Sequence, residues 1–327
     1  MNLDNCMPSS RFGHTPDLLE DPAPEQGWDR DEAKQALDEL FYLARAYRSG
    51  AAYGELLDFI GEFRFYAPFN ALLLHVQKPG TTYVAPARRW FKEYGRKIKP
   101  GARALIILQP KGPVMFVFDV SDTEPGEDAP DLPAEVVNPF AARGGDVERI
   151  LAQTIENASR DGIRVSPSQA GSQRAGCIRK TNISTHLSFL VKTRPKQEYI
   201  LVPLRYDVEI STNLSSAADK YATFVHELAH LYCGHLGTPN DEWWPSRTGL
   251  SHVEVEFEAE SVAYILCKRL RIKTTSDMYL SSFLKSERDV PNISLERMLK
   301  AAGLIEQMGK RRLPPRKEKK VKARIGT

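Results

Sequence analysis

Apolar residues along this chain follow two spacings. In some windows they recur every three or four positions, as on one face of a helix; in others they alternate or run briefly together, as in strands. Ala33, Ala36, Leu37, Leu40, Leu43, Ala44 and Tyr47 keep the helical period, and Gly50 follows as a stop. A second amphipathic stretch covers 53–63, and Pro68 stands as the first residue of a helix that reaches His75 and closes at Pro79-Gly80. Short strands are expected at 104–108 and 114–120, where β-branched and aromatic residues concentrate. Residues 121–146 break the pattern with four prolines, three glycines and a cluster of acids, the composition of a linker or long surface loop. Beyond them the pattern predicts a helix at 147–160 and short strands at 163–165, 176–179, 199–204 and 208–210. Helices then follow at 216–233, 253–271, 276–286 and 294–308. The fold class is α+β: a smaller N-terminal α+β domain over 31–120, a linker over 121–146, and a larger C-terminal domain over 147–308. Residues 1–30, with six acids and four prolines, read as a flexible leader, and 309–327 as a basic disordered tail.

One segment carries recognisable chemistry: His226-Glu227-Leu228-Ala229-His230. It lies in 217–233, whose apolar residues repeat at helical spacing and which Gly234 ends. Two histidines four apart leave one helix face a turn from each other, close enough to share a zinc ion. The glutamate between them reaches water beside that ion as a general base. At about 100° per residue, Asp219 and Thr223 share the histidine face, while Ala222, Val225, Ala229 and Cys233 form the adjoining apolar stripe.

Catalytic zinc usually takes three protein ligands. His235 stands five residues after His230, but metzincin spacing needs glycine at 233 and histidine at 236, where this chain has Cys233 and Leu236. In 252–270, read as a helix, Val255, Ala259, Val262, Ala263, Leu266 and Leu270 make an apolar arc. Glu256 falls inside that arc, Glu260 on its margin, and Glu254 and Glu258 on the opposite polar side. A carboxylate aimed into an apolar face is costly unless it is paired, protonated or metal-bound. Glu256 is therefore the expected third ligand, and Glu260, one turn on, the group that orients a histidine. His252, one turn before Glu256, competes as a ligand but reads as a surface histidine at a helix start. Zinc is expected over other divalent ions from the ligand types.

The line HELAHLYCGH, with E-F-E-A-E-S-V-A-Y beginning 26 residues after His230, resembles the ImmA/IrrE family of zincin-like metallopeptidases. That resemblance implies a zincin-like metallopeptidase domain over 147–308, an active-site helix with a small mixed sheet, acting on a protein or peptide. It makes His226, His230 and Glu256 the Zn2+ ligands and Glu227 the general base. The family carries asparagine or aspartate where this chain has Glu260. The E-A-E-S-V-A-Y variant is similar to the C-terminal metalloprotease domain of ArdC-type antirestriction proteins. Pro68-Phe69-Asn70 and, further on, Trp90 with Gly95-Arg96-Lys97-Ile98-Lys99-Pro100-Gly101 resemble their N-terminal domain, which implies binding of single-stranded DNA.

Composition adds a second line to the same expectation. Residues 83–112 interleave Tyr83, Trp90, Phe91 and Tyr94 with eight Lys/Arg and a single acid, Glu93. Flat rings stack on unpaired bases while cations follow phosphates, so Trp90, Arg96, Lys97 and Lys99 are candidate nucleic-acid contacts. The competing reading makes Trp90 and Phe91 core anchors and the cations a solvated face. The net charge of +3 over 327 residues conceals an excess of +8 in residues 310–327, which suits an acidic partner or nucleic acid. Four scattered cysteines without a CxxC pair, and no secretory pattern at the start, are expected of a reduced, cytoplasmic protein. No apolar run approaches the ~18 residues of a membrane span. Two functions follow: a zinc-dependent peptidase, or alternatively a single-stranded-DNA-binding antirestriction-type protein whose zinc site is structural or vestigial.

Overall fold

Pro68 opens a helix as its fixed φ and missing N–H allow. This helix, α2 (Pro68–Gln77), follows α1 (Gly50–Glu62), and both turn apolar faces inward, with Leu56, Leu57, Ile60 and Leu72–Leu74 buried. The computed structural model describes residues 47, 50–109, 112–137, 139, 146–169, 175–273 and 290–316. They form an α+β chain that divides into two units, residues 83–132 and residues 44–82 with 133 onward. The leader 1–30, the helix expected from 33, the helix at 276–286 and the tail beyond 316 lie outside the described residues.

In the first unit β1 (Val84–Ala85), β4 (Gly112–Asp119) and β3 (Leu105–Gln109) make an antiparallel sheet in that order. Between its strands in sequence come α3 (Ala87–Tyr94) and β2 (Arg96–Ile98). Gly95, at φ 61°, ends α3 in the left-handed conformation that glycine tolerates best. Residues 123–125, expected at the start of the linker, form a strand instead, β5 (Thr123–Pro125), antiparallel to β2. A single 3-10 turn leads into it. Asp119 holds that turn, its carboxylate accepting from the Ser121 N–H at 3.0 Å.

The second unit begins with α1 and α2, resumes at α4 (Ala134–Val137) and α5 (Val147–Ser159), and continues through five strands. β6 (Ile163–Ser168), β10 (Tyr206–Ser211) and β7 (Gly176–Lys180) form a mixed sheet, with β10 central, parallel to β6 and antiparallel to β7. β8 (His186–Lys192) and β9 (Glu198–Pro203) pair with each other. Among the described residues three helices close the unit: α6 (Ala217–Tyr232), α7 (His252–Arg269) and α8 (Leu295–Lys310), with α7 packed on α6, α1 and α8. Among the described residues no helix is long and apolar enough to cross a membrane.

Two expectations are corrected here. Helices α1 and α2, assigned from sequence to the N-terminal domain, belong with the second unit. Their apolar faces need partners, and α7 and α8 supply them: the Tyr53 hydroxyl donates to Ser261 Oγ at 3.0 Å across α1 and α7. The basic tail, expected disordered from 309, is ordered through 316. Asn157 Nδ2 donates to the carbonyls of Met308 and Arg311, and Arg316 lies in a double ion pair with Asp161 at 2.7 and 3.0 Å. The Arg316 guanidinium also stacks over Trp243 and Trp244.

Candidate metal centre

Helix α6 starts where Ser216 accepts the N–H of Asp219, and α7 starts in a full capping box of Ser251 and Glu254. These caps fix the two helix starts, and the packed helices bring three side chains together. His226 Nε2 and His230 Nε2 are 3.1 Å apart. Glu256 places Oε2 3.5 Å from His226 Nε2 and Oε1 3.6 Å from His230 Nε2. Zinc with nitrogen and oxygen ligands at about 2.0–2.1 Å sets those atoms about 3.4 Å apart in a tetrahedron. Two neutral-capable imidazoles and a carboxylate at these separations fit a divalent ion by both spacing and donor chemistry.

Charge is arranged to match. Burial opposes protonation of His226, but Glu256, aided by Glu260 and Glu227, outweighs it and raises the pKa above 6.5. His230, buried and beside His226, is pushed down to about 3 and stays neutral. Its interaction with His226 holds the Glu256 carboxyl below the usual range, so that carboxylate is ionised and able to ligate. Glu260 sits behind the pair, with Oε1 3.6 Å from His226 Nδ1. That separation is an ion-pair distance longer than a hydrogen bond, and the other oxygen, Oε2, is buried without a partner among the described residues.

Glu227, between the histidines in sequence, is 9% exposed. Its carboxylate lies against the first residue of β7, Gly176. A Cβ there would meet Thr223 Cγ2 at 2.5 Å and Glu227 Oε1 at 3.1 Å, so this close approach of strand to helix requires glycine.

Glu258 corrects the helical-wheel expectation. It was placed on the polar side of its helix, yet its side chain is fully buried. Arg247 donates to both its oxygens at 2.6 and 2.7 Å, the Ser294 N–H donates at 2.7 Å, and His235 Nε2 lies 2.9 Å away. Burial pushes its pKa up, but these partners together hold it below the usual carboxylate range. His235 is thereby excluded as a ligand of the first cluster: its Nδ1 faces His230 Nδ1 at 3.0 Å, on the far side of that ring from Glu256. Cys233, His235 and Glu258 also converge. Burial pushes the Cys233 thiol strongly up, and Arg247 engages Glu258, so these groups form a polar network. His252 is largely exposed, with Nδ1 3.7 Å from Glu256 Oε1. The Tyr264 hydroxyl donates to Asp58.

The nucleic-acid candidates of the first unit separate. Trp90 is fully buried, its indole N–H donating to the Phe118 carbonyl at 2.8 Å and its ring against Tyr83 and Tyr94. It cannot stack on a base, because the apolar stripe of α3 faces the sheet. Arg96 is turned onto Thr123 at 2.7 and 3.0 Å, and Lys99 donates to the Ser121 carbonyl at 2.8 Å. Lys97 is exposed, as are Arg88 and Lys92. Phe91, 63% exposed, is the aromatic ring that this surface presents.

No protein-family model matches the chain, that of the ImmA/IrrE resemblance included, and no curated protein matches it. A crystal structure of the antirestriction ArdC protein from the R388 plasmid, in a metal-free form, is similar over 86% of this chain and 96% of that one. The identity is 16% and the TM-score 0.35.

Proposed function

We propose that the chain is a zinc-dependent peptidase. The observation that carries this reading is the convergence of His226, His230 and Glu256 at ligand spacing, with the Glu227 carboxylate on the same helix. When bound, the ion supplies Lewis acidity, polarising a scissile carbonyl and easing loss of a proton from water. His226 and His230 offer Nε2, and Glu260 supplies negative charge near His226 Nδ1. Glu227 takes the proton at its carboxylate and returns it to the departing amine. The test is Glu227→Gln, which keeps the side chain's shape and removes its basicity. Metal content by elemental analysis is expected to stay at the wild-type level, while cleavage of a peptide library falls by about 10²–10⁴-fold. Unchanged cleavage at unchanged metal content would overturn the assignment of the base.

A second reading, binding of single-stranded DNA by residues 83–132, rests on exposed Phe91, with Arg88 and Lys92 on the same helix and Lys97 exposed on β2. Phe91→Ala is expected to weaken binding of an unpaired oligonucleotide by about 1–3 kcal/mol, measured by fluorescence anisotropy at low salt. Wild-type protein that binds no oligonucleotide there removes this reading and leaves the peptidase untouched.

A further inference from the structure

We propose that His235 is a positioning residue that fixes the tautomer and ring orientation of His230, with Glu258 as the anion that sets the direction of the chain of hydrogen bonds. The inference rests on the metal-centre reading and extends it to residues outside the ligand set.

Glycine creates the arrangement. Gly234, at φ 86°, takes the left-handed position after α6; its N–H donates to the Leu231 carbonyl and the His235 N–H to the His230 carbonyl, each at 3.0 Å. This pair of bonds is the Schellman turn, and it folds the chain back so that the His235 ring stands beside the His230 ring. A side chain at 234 would also strike the Pro245 carbonyl oxygen, 2.1 Å from where its Cβ would sit. The same loop brings Arg247 to Glu258, its N–H donating to the Gly234 carbonyl at 2.9 Å.

With His235 neutral, the protons have one consistent assignment, whereas a doubly protonated His235 would reverse it at His230. Glu258 accepts two bonds from Arg247 and one from the Ser294 N–H, which makes it the ionised, accepting end. His235 Nε2, 2.9 Å from Glu258, must donate, so its Nδ1 is left as a lone pair. That lone pair faces His230 Nδ1 at 3.0 Å, which must carry the proton. His230 is thus obliged to present an unprotonated Nε2 toward His226 and Glu256, the form a metal requires. Nothing in the relay touches a reacting group; it acts only through His230.

Histidine nitrogen-15 NMR of the metal-free wild type tests the assignment without a substitution. The proton is expected on Nδ1 of His230 and on Nε2 of His235, and the reverse tautomers overturn the proposal. Zinc affinity, read by chelator competition, tests its consequence. His235→Ala is expected to bind about 10–100-fold more weakly than wild type, with His235→Gln, whose amide oxygen accepts the Nδ1 proton, recovering part of the loss. Wild-type affinity in His235→Ala, beside abolished binding in His226→Ala, overturns the proposal alone. A wild type that binds no zinc overturns the metal centre itself.

Discussion

Replacing Arg269 by alanine is expected to lower the free energy of unfolding by about 3–5 kcal/mol, the penalty for leaving a buried charge and several buried acceptors unmatched. Arg269 is 4% exposed at the last turn of α7. Its guanidinium donates to the carbonyls of Ile60 and Phe63 at 2.8 Å and of Tyr66 at 2.7 Å, and to Glu306 Oε1 at 2.6 Å. One side chain therefore satisfies the carbonyl end of α1, the chain entering α2, and a carboxylate on α8. Backbone carbonyls at a helix end have no partners of their own, and buried here they cannot turn to water. Burial pushes the Glu306 carboxyl up, but Arg269 and then Lys310 more than reverse this and hold it below its ordinary value of 4.5. A depressed folded-state pKa contributes stability that is present above the unfolded value and lost as pH falls through the folded one. Arg269→Ala should weaken that acid-side loss as well as the plateau. Urea unfolding followed by circular dichroism measures both, with Lys300→Ala, from an exposed pair with Glu296, as a control expected to stay within about 1 kcal/mol. A change of control size at Arg269 would mean that the carbonyls find other donors.

The same residue shows why part of the fold could not be read from the sequence. Helical spacing locates α1, and Pro68 locates α2, but nothing near them says that a guanidinium some two hundred positions later closes their ends. Helix α7 shows a second reason. The wheel assumes one buried face, and it sets Glu256 apart from Glu254, which instead caps the helix start with Ser251. Yet α7 is covered by α6, α1 and α8, so Glu258 is buried as well, and its partner Arg247 comes from a preceding loop. Trp90 was ambiguous for a related cause: eight cations around an aromatic ring describe a nucleic-acid surface or a helix whose back is in a core equally well, and only the sheet under α3 decides. The geometry of α6 was far more legible. Spacing of two histidines on one helix is a local property, and Gly234 marks its end by the same left-handed turn that delivers His235.

Zinc is expected to raise the stability of the wild-type protein by about 4 kcal/mol at a free concentration near 1,000 times its Kd, and that of His226→Ala not at all. The ion binds the assembled cluster and finds no such arrangement in an unfolded chain. Loading should change the pH dependence. In the metal-free protein His226 has a raised pKa because Glu256 favours its charge. The stability of that pair is present in full below the unfolded value of 6.5 and is lost as pH rises through the higher folded one. Zinc requires the neutral ring, so the proton competes with it over the same range. The increment from zinc should therefore grow from about pH 6 to pH 8, while the pair's contribution to the metal-free protein declines. His230, pushed down to about 3, stays neutral in the folded protein and does not compete with zinc, but its unfolded form takes up a proton near 6.5, so it adds stability as pH rises through that value and partly offsets the decline from His226. Thermal unfolding of loaded and chelator-treated protein across that window separates the two. An increment from zinc that is flat with pH, or equal in His226→Ala, would place the ion elsewhere on the molecule.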